Sequence, residues 1–223
     1  MSADRLEELR QAWTSVIDPD DYDTHMRSIG QGPTNAELVR ELIDRNPPEG
    51  KSILVAGAGS GQMFDFVDSE FLSAYEVTFT DISQPFLDAL KPRIEFAGLR
   101  RCTVVQDDLL QTKLQGPYAG GLVVLVLEHL DWRAALASLN KLVSEILWIV
   151  IQRNPESMAT AVTPGRTLPG TMAVVSEKAL PHLIPEAELF EALAVHGFKQ
   201  FVCAPRPVAD GKEMVGFVFR RNA

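Results

Sequence analysis

Three clusters of residues carry the chemistry this sequence could perform. The first is Val55-Ala56-Gly57-Ala58-Gly59-Ser60-Gly61, where the apolar run Ile53–Ala56 gives way to alternating glycines. Glycines at a strand-to-helix turn let backbone approach a ligand closely, and the first N–H groups of the following helix lack partners. The second cluster is acidic. Asp81 ends the next apolar run, where a carboxylate can accept hydrogen bonds from both hydroxyls of a ribose. Asp107-Asp108 ends the run after that, placed to meet an exocyclic amine. The third is Glu128-His129, an acid beside an imidazole that ordinarily titrates near neutrality.

The spacing narrows the ligand. The glycines read G-x-G-x-G, whereas a dinucleotide fingerprint reads G-x-G-x-x-G. No Gly-Lys-Ser/Thr follows, which excludes a Walker loop. What remains is a nucleoside-binding edge at the carboxyl ends of parallel strands. A nicotinamide dehydrogenase and a cofactor-free domain with a tight turn are the alternatives on this reading.

The elements that must position these residues alternate from Lys51 onward. Strands are predicted at Ile53–Ala56, Glu76–Thr80, Cys102–Val105, Gly121–Leu127 and Ile146–Ile151, and closing strands at Phe198–Cys203 and Met214–Phe219. Helices are predicted at Gln62–Phe71, Gln84–Gly98, Asp131–Val143 and Pro185–His196. His196-Gly197 suits the last of these as a C-terminus. Alternation of this kind means a mostly parallel sheet with helices on both faces, and the Pro205–Lys212 link suits an antiparallel hairpin. Before the sheet, residues 3–17 have helical spacing, with Leu6, Leu9, Trp13 and Val16 on one face. Asp18-Pro19-Asp20-Asp21 reads as a break, Tyr22–Pro33 as a polar, glycine-containing stretch, and Thr34 with Glu37 as a capping box. Residues 153–180, rich in Pro, Thr, Gly and Met, lack a period, and a connection that long tends to be functional.

Composition sets outer bounds. The 223 residues suit one α/β domain with a short appendage, and 46% hydrophobic residues suffice for a sizeable core. No apolar run is long enough for a spanning helix, and the charged N-terminal stretch lacks the apolar centre of a secretory signal. The formal charge of −9 argues against a nucleic-acid partner. Cys102 and Cys203 lie in apolar, strand-like runs and read as buried free thiols of a reducing cytoplasm. No Cys/His spacing resembles a zinc site.

In this motif order the chain resembles the class I S-adenosylmethionine (SAM)-dependent methyltransferases from about Lys51 to Phe219. The family's motifs match Ala56–Gly61, Thr80-Asp81-Ile82, Val105–Leu109 and Val126–Leu130. The resemblance implies a doubly wound α/β fold: a mostly parallel seven-stranded sheet with a C-terminal antiparallel hairpin strand and an N-terminal helical lid. It further implies SAM as cofactor, with S-adenosylhomocysteine (SAH) as product. Gly57, Ala58, Gly59 and Gly61 would hold the methionine moiety, Asp81 with Ile82 the ribose, and Asp108, or Asp107, with Leu109 the adenine. Many members carry an acid where this chain has Val55, so the SAM amino group would turn to a main-chain oxygen of Gly57 or Leu127. Some members that methylate hydroxyls hold a metal with Glu-x-x-Glu-His. Leu125 replaces its first acid, and no metal is expected.

Methyl transfer from a sulfonium rests mainly on positioning, with a base only where the acceptor must lose a proton. Glu128, His129 and His25 are the candidate catalytic residues. Met26, Trp132, Gln152, Arg153 and Arg166 are candidates for the acceptor, the arginines as clamps for a carboxylate or phosphate. Tyr22, with His25 and Met26, suits a lid over the cofactor. The expected organisation is a lid at 1–48 and a SAM-binding domain at 49–223 with a substrate cap at about 153–184. The expected protein is a cytoplasmic monomer or homodimer acting on a small molecule. A SAM-binding regulatory module and a protein or RNA methyltransferase are the alternatives.

Overall fold

The computed structural model describes residues 3–68, 70–163, 167–168, 170–174 and 180–222. Its strands are β1 (Ser52–Ala56), β2 (Glu76–Asp81), β3 (Cys102–Gln106), β4 (Tyr118–Val124), β5 (Val143–Arg153), β6 (Phe198–Pro207) and β7 (Glu213–Arg221). They form one seven-stranded sheet in the order β3-β2-β1-β4-β5-β7-β6. The strands from β3 to β5 pair in parallel, and β7 runs antiparallel to β5 and β6. The order reverses between β1 and β4, which opens a crevice at their carboxyl ends, the place where such sheets bind ligands.

The helices are α1 (Ala3–Gln11), extended by a π-helical turn at Ala12–Val16, α2 (Pro19–Ser28), α3 (Gln31–Arg45), α4 (Gln84–Phe96), α5 (Trp132–Leu142) and α6 (Glu186–Val195). Leu38, Val39 and Leu42 of α3 and Leu87, Leu90 and Ile94 of α4 pack on one face of the sheet. Leu136 and Leu139 of α5 and Leu189 and Leu193 of α6 pack on the other. The apolar run of β5 is buried on both faces, as a central strand between two helical layers must be. A smaller cluster, Leu9, Ala12, Ile17, Phe86, Leu168 and Met172, ties the N-terminal helices to α4 and to the segment after β5.

Several local expectations need correction. Asp18-Pro19-Asp20-Asp21 starts a helix. The Asp18 carboxylate accepts from the N–H groups of Asp20 and Asp21, and Pro19 occupies the first turn. Tyr22–Ser28 is therefore helical. α3 begins at Gln31, after Gly30 in the left-handed region, and the Thr34 hydroxyl donates to the Gly30 carbonyl, so no capping box forms. The helix expected at Gln62–Phe71 shrinks to a 3₁₀ turn, Gln62–Asp65. Phe64 stacks edge-on against Phe79, and Asp65 ion-pairs with Arg27 and Arg93, so tertiary contacts override helical spacing there. β4 ends at Val124, short of the expected Leu127. Leu125 has φ 55°, and Leu127–His129 form a 3₁₀ turn. Cys102 is half-buried and Cys203 is exposed on the edge strand β6, so neither is a buried thiol.

Candidate functional site

The ends of β1, β2 and β3 meet at the glycine turn. Ala58 N–H donates to the Thr80 carbonyl at 2.8 Å, and Asp107 N–H to the Asp81 carbonyl at 3.0 Å, so the three turns are stitched edge to edge. Asp81 spans the seam. One carboxylate oxygen accepts from Gly59 N–H and the other from Ser83 N–H, each at 2.9 Å. Burial raises its pKa, and the backbone donors oppose that rise. Above this floor lies a cavity of about 320 Å³. Gly57, Gly59, Asp81 and Ile82 line it, as do Asp107, Asp108, Leu109 and Tyr22.

The turn is shaped by what its glycines avoid. At Gly57, φ 69°, a Cβ would lie 2.3 Å from Val126 Cγ2. At Gly59, φ 57°, the nearest atom to a Cβ would be on Phe86 at 3.9 Å, so that position opens onto the cavity. Gly61 serves packing, because its Cβ would meet Leu90 Cδ1 at 2.2 Å, and it does not line the cavity. Ala58 likewise packs against the core.

The N-terminal helices form the cover. Arg10 reaches across the cavity to Asp108, at 2.5 Å. α2 is fastened to the glycine turn by a buried network around Asp23. Ser60 Oγ donates to its carboxylate at 2.5 Å, Gln62 Nε2 to its carbonyl at 2.9 Å, and Arg93 pairs with it at 2.5 Å. α2, with the Ile29 that caps its C-terminus, presents Tyr22, His25, Met26 and Ile29, at i, i+3, i+4 and i+7 spacing, to a second cavity of about 100 Å³.

The two cavities share Trp13, Tyr22, Leu125 and His129. Trp13 is the centre of this wall, with ring centroids 5.7 Å from Tyr22, 5.9 Å from Phe86 and 4.7 Å from His129. Leu125, in the left-handed region, turns the chain out of β4 and delivers His129 to the wall and Glu128 to the smaller cavity. Strain of this kind is held where surrounding structure fixes it.

Glu128 is 2% exposed and lines the smaller cavity. Its Oε1 accepts from Gln152 N–H at 3.0 Å, and its Oε2 has no partner. Burial pushes its pKa up to about 7. His129, also buried, is pushed down to about 3, first by burial and then by His182, and is neutral at pH 7. Its Nδ1 and the Trp13 indole nitrogen also lack partners. Unpaired buried polar atoms are costly, and each calls for an explanation such as a catalytic role or a bound water or ion.

His25, Met26 and Gln152 line the smaller cavity. The Gln152 side chain donates to Asn154 and to the Ala161 carbonyl. Three expectations fail. Trp132 is a core residue of α5, under the Arg133 guanidinium. Leu127 is buried in the same core and lines neither cavity. Arg153 points away, paired with Glu186 and Glu213, and is no acceptor clamp. Arg166 lies outside the described residues. Arg10, Asp210 and Lys212, which lie far from any motif, and Phe86, four residues after Ile82, carried no signal in the sequence. Trp13 had been placed only on the apolar face of a helix. Among the described residues no group of three or more His, Cys, Asp or Glu could hold a metal ion, and no helix is long and apolar enough to cross a membrane.

Residues 53–145 match the family model of a methyltransferase domain. No curated protein matches the sequence. Among solved structures, magnesium protoporphyrin IX methyltransferase (ChlM) from Synechocystis PCC 6803 with bound SAH is 20% identical, with a TM-score of 0.65 covering 88% of this chain and 86% of that one. The glycopeptide N-methyltransferase MtfA complexed with SAH is 21% identical, with a TM-score of 0.61 covering 84% and 89%. The [4+2]-cyclase SpnF is 14% identical, with a TM-score of 0.61 covering 86% and 82%. Such identities speak for the fold, which hosts more than one chemistry. The chain therefore has the fold of these methyltransferases, and its segment 53–145 resembles a methyltransferase domain.

Proposed function

We propose that this protein binds SAM in the larger cavity and transfers its methyl group to a small molecule in the smaller one. The observation that carries the reading is the Gly59 N–H to Asp81 carboxylate bond, 2.9 Å long, on the floor of a cavity that shares a wall with a second. The residues fit the nucleoside. Gly59 is open where a side chain would fill the seat. Each Asp81 oxygen keeps acceptor capacity beyond its one backbone bond, enough for two ribose hydroxyls. Ile82 and Leu109 supply apolar surface for the adenine, and Asp107 or Asp108 accepts from its amine.

When bound, SAM supplies an electrophilic methyl on a positively charged sulfur. The chain's own part is to hold, align and dry the two partners. Gly57 and Gly59 bring backbone to the methionine moiety. Trp13, Tyr22, Leu125 and His129 separate the cavities and keep water from the junction. α1 and α2, with the segment after β5, form the lid and cap over both. Both are too short for a macromolecule-binding domain. With the charge of −9, they support a small-molecule acceptor and no nucleic-acid partner.

Calorimetry with SAM and SAH, and with NAD as control, tests the seat, and assay of SAH formation tests turnover. Saturable heat with SAM and SAH and none with NAD is expected. Heat with NAD alone would reassign the site. SAM binding without SAH formation across amines, phenols, thiols and keto acids would favour a binding module.

A further inference from the structure

Resting on that methyl-transfer reading, we propose that the smaller cavity takes a small primary or secondary amine, admitted as its ammonium ion, and that Glu128 accepts its proton. The class follows from charge, size and the orphaned atoms.

Size comes first. The cavity measures about 100 Å³, and an apolar cavity of roughly 150 Å³ accommodates benzene. The cavity therefore suits a small acceptor group.

The charged and titratable groups lining the cavity are His25 from α2, Glu128 and His129 from the turn after β4, and Asp210 and Lys212 from the β6–β7 link, with Tyr22 on the wall. His182 reaches the same turn, its N–H donating to the Glu128 carbonyl. Lys212 donates to the Ala161 carbonyl and Asp210 accepts from the Thr163 hydroxyl, so the link brings one charge of each sign. His129 is neutral near pH 7. Glu128 is left as a buried carboxyl helped only by backbone N–H groups, with one oxygen unpartnered. At the junction, after burial itself, Asp23, Asp81 and Glu128 push the Tyr22 phenol upward, Asp23 being also paired with Arg93.

That field discriminates between nucleophiles. A hydroxyl or thiol acceptor builds negative charge as it loses its proton, next to carboxylates that disfavour it. An ammonium enters with the opposite charge and supplies the counter-ion that Glu128 lacks. Its N–H groups fit the unpartnered Glu128 oxygen, beside the aromatic rings of Trp13 and Tyr22 that line the cavity. The proton then moves from nitrogen to Glu128, leaving a neutral amine and a neutral carboxylic acid. The freed lone pair forms the N–CH₃ bond while the methyl–sulfur bond breaks, its electrons staying on sulfur. A carboxyl titrating near the working pH suits such an exchange.

The test uses the full chain saturated with SAH and, as size-matched probes, ethylammonium, 1-propanol and propionate, followed by ligand-observed NMR. Ethylammonium should bind at least tenfold more tightly than either other probe. Glu128→Gln, which keeps the oxygen facing Gln152 N–H, should abolish that preference while SAH affinity stays within twofold. Radiolabelled methyl transfer should reach small amines and spare alcohols and thiols of equal size. Equal or tighter binding of 1-propanol or propionate, an ammonium preference that survives in the variant, or transfer to alcohols or thiols alone would overturn the proposal. Failure of SAH to bind would instead remove the cofactor reading, and the three probes measured without SAH would still decide the character of the cavity.

Discussion

The floor of the larger cavity and the roof of the smaller one are made in different ways. The floor comes from three strand ends in adjacent registers, stitched by backbone hydrogen bonds such as Ala58 N–H to Thr80 and Asp107 N–H to Asp81. The roof is assembled from distant parts of the chain: Trp13 after α1, Tyr22 and Met26 on α2, Leu168 and Met172 beyond β5, and Lys212 in the β6–β7 link. A floor built from sheet register is fixed once the sheet forms. A roof built from side chains depends on a small cluster, Leu9, Ala12, Ile17, Phe86, Leu168 and Met172. Changes in the floor should therefore act on cofactor affinity, and changes in the roof and wall on the acceptor step.

The sharpest break in that comparison is Glu128→Gln. As the proton acceptor in the smaller cavity, Glu128 should contribute roughly 10²- to 10⁴-fold to turnover and almost nothing to SAH affinity. Initial rates beside SAH titration check this, and parallel losses in both would show that wall and floor are one unit.

The same substitution has a stability signature. Glu128 titrates at about 7 in the fold, against an ordinary value of 4.5. The folded chain thus keeps a proton that the unfolded chain releases. Its favourable contribution is complete below pH 4.5 and is lost as pH rises to about 7, by about 3 kcal/mol. The Gln variant has no charge to bury. It should match the parent at pH 4 and exceed it by about that amount at pH 8, in urea unfolding. A difference independent of pH would show that the fold does not hold the carboxyl neutral.

On the floor, Asp81→Asn removes a charged acceptor and puts an amide where Gly59 N–H or Ser83 N–H needs an oxygen. The expected loss is about 2 kcal/mol in SAH binding, roughly 30-fold, with the acceptor KM unchanged. Calorimetry with SAH and adenosine checks it. Equal losses for SAH and for an analogue lacking the ribose hydroxyls would place Asp81 outside the ribose contact.

What was legible in the sequence follows the same division. Gly57, Gly59, Asp81 and Asp107-Asp108 announce themselves because each sits at a fixed offset from the end of an apolar run, and the sheet converts those offsets into neighbours. The hairpin and the His196-Gly197 helix end were legible for the same local reason. The roof was legible only in part. Asp18-Pro19-Asp20-Asp21 carries both a break and a helix start, and only the spacing of Tyr22, His25, Met26 and Ile29 tells them apart. Arg153 looked like a clamp, but its partners Glu186 and Glu213 lie in other elements, and no local pattern reveals an ion pair across the sheet end. Trp132 at the start of α5 and Trp13 in the turn after α1 both carry apolar spacing, and only packing assigns one to the core and the other to the wall.

The finest distinction concerns Arg10, where roof and floor touch. Its guanidinium meets Asp108 at 2.5 Å while remaining 43% exposed, so solvent and salt screen the pair. Arg10→Ala should shift unfolding by less than about 1 kcal/mol. Asp108 also accepts from Leu110 N–H through its other oxygen, so the carboxylate keeps its place when the arginine is removed. With its second oxygen released, SAH should bind two- to threefold more tightly, and adenosine should gain equally because the effect lies at the adenine end. Weaker binding in the variant would mean that α1 clamps the nucleoside from above, placing the helix in the cofactor site and moving the boundary between roof and floor past Asp108.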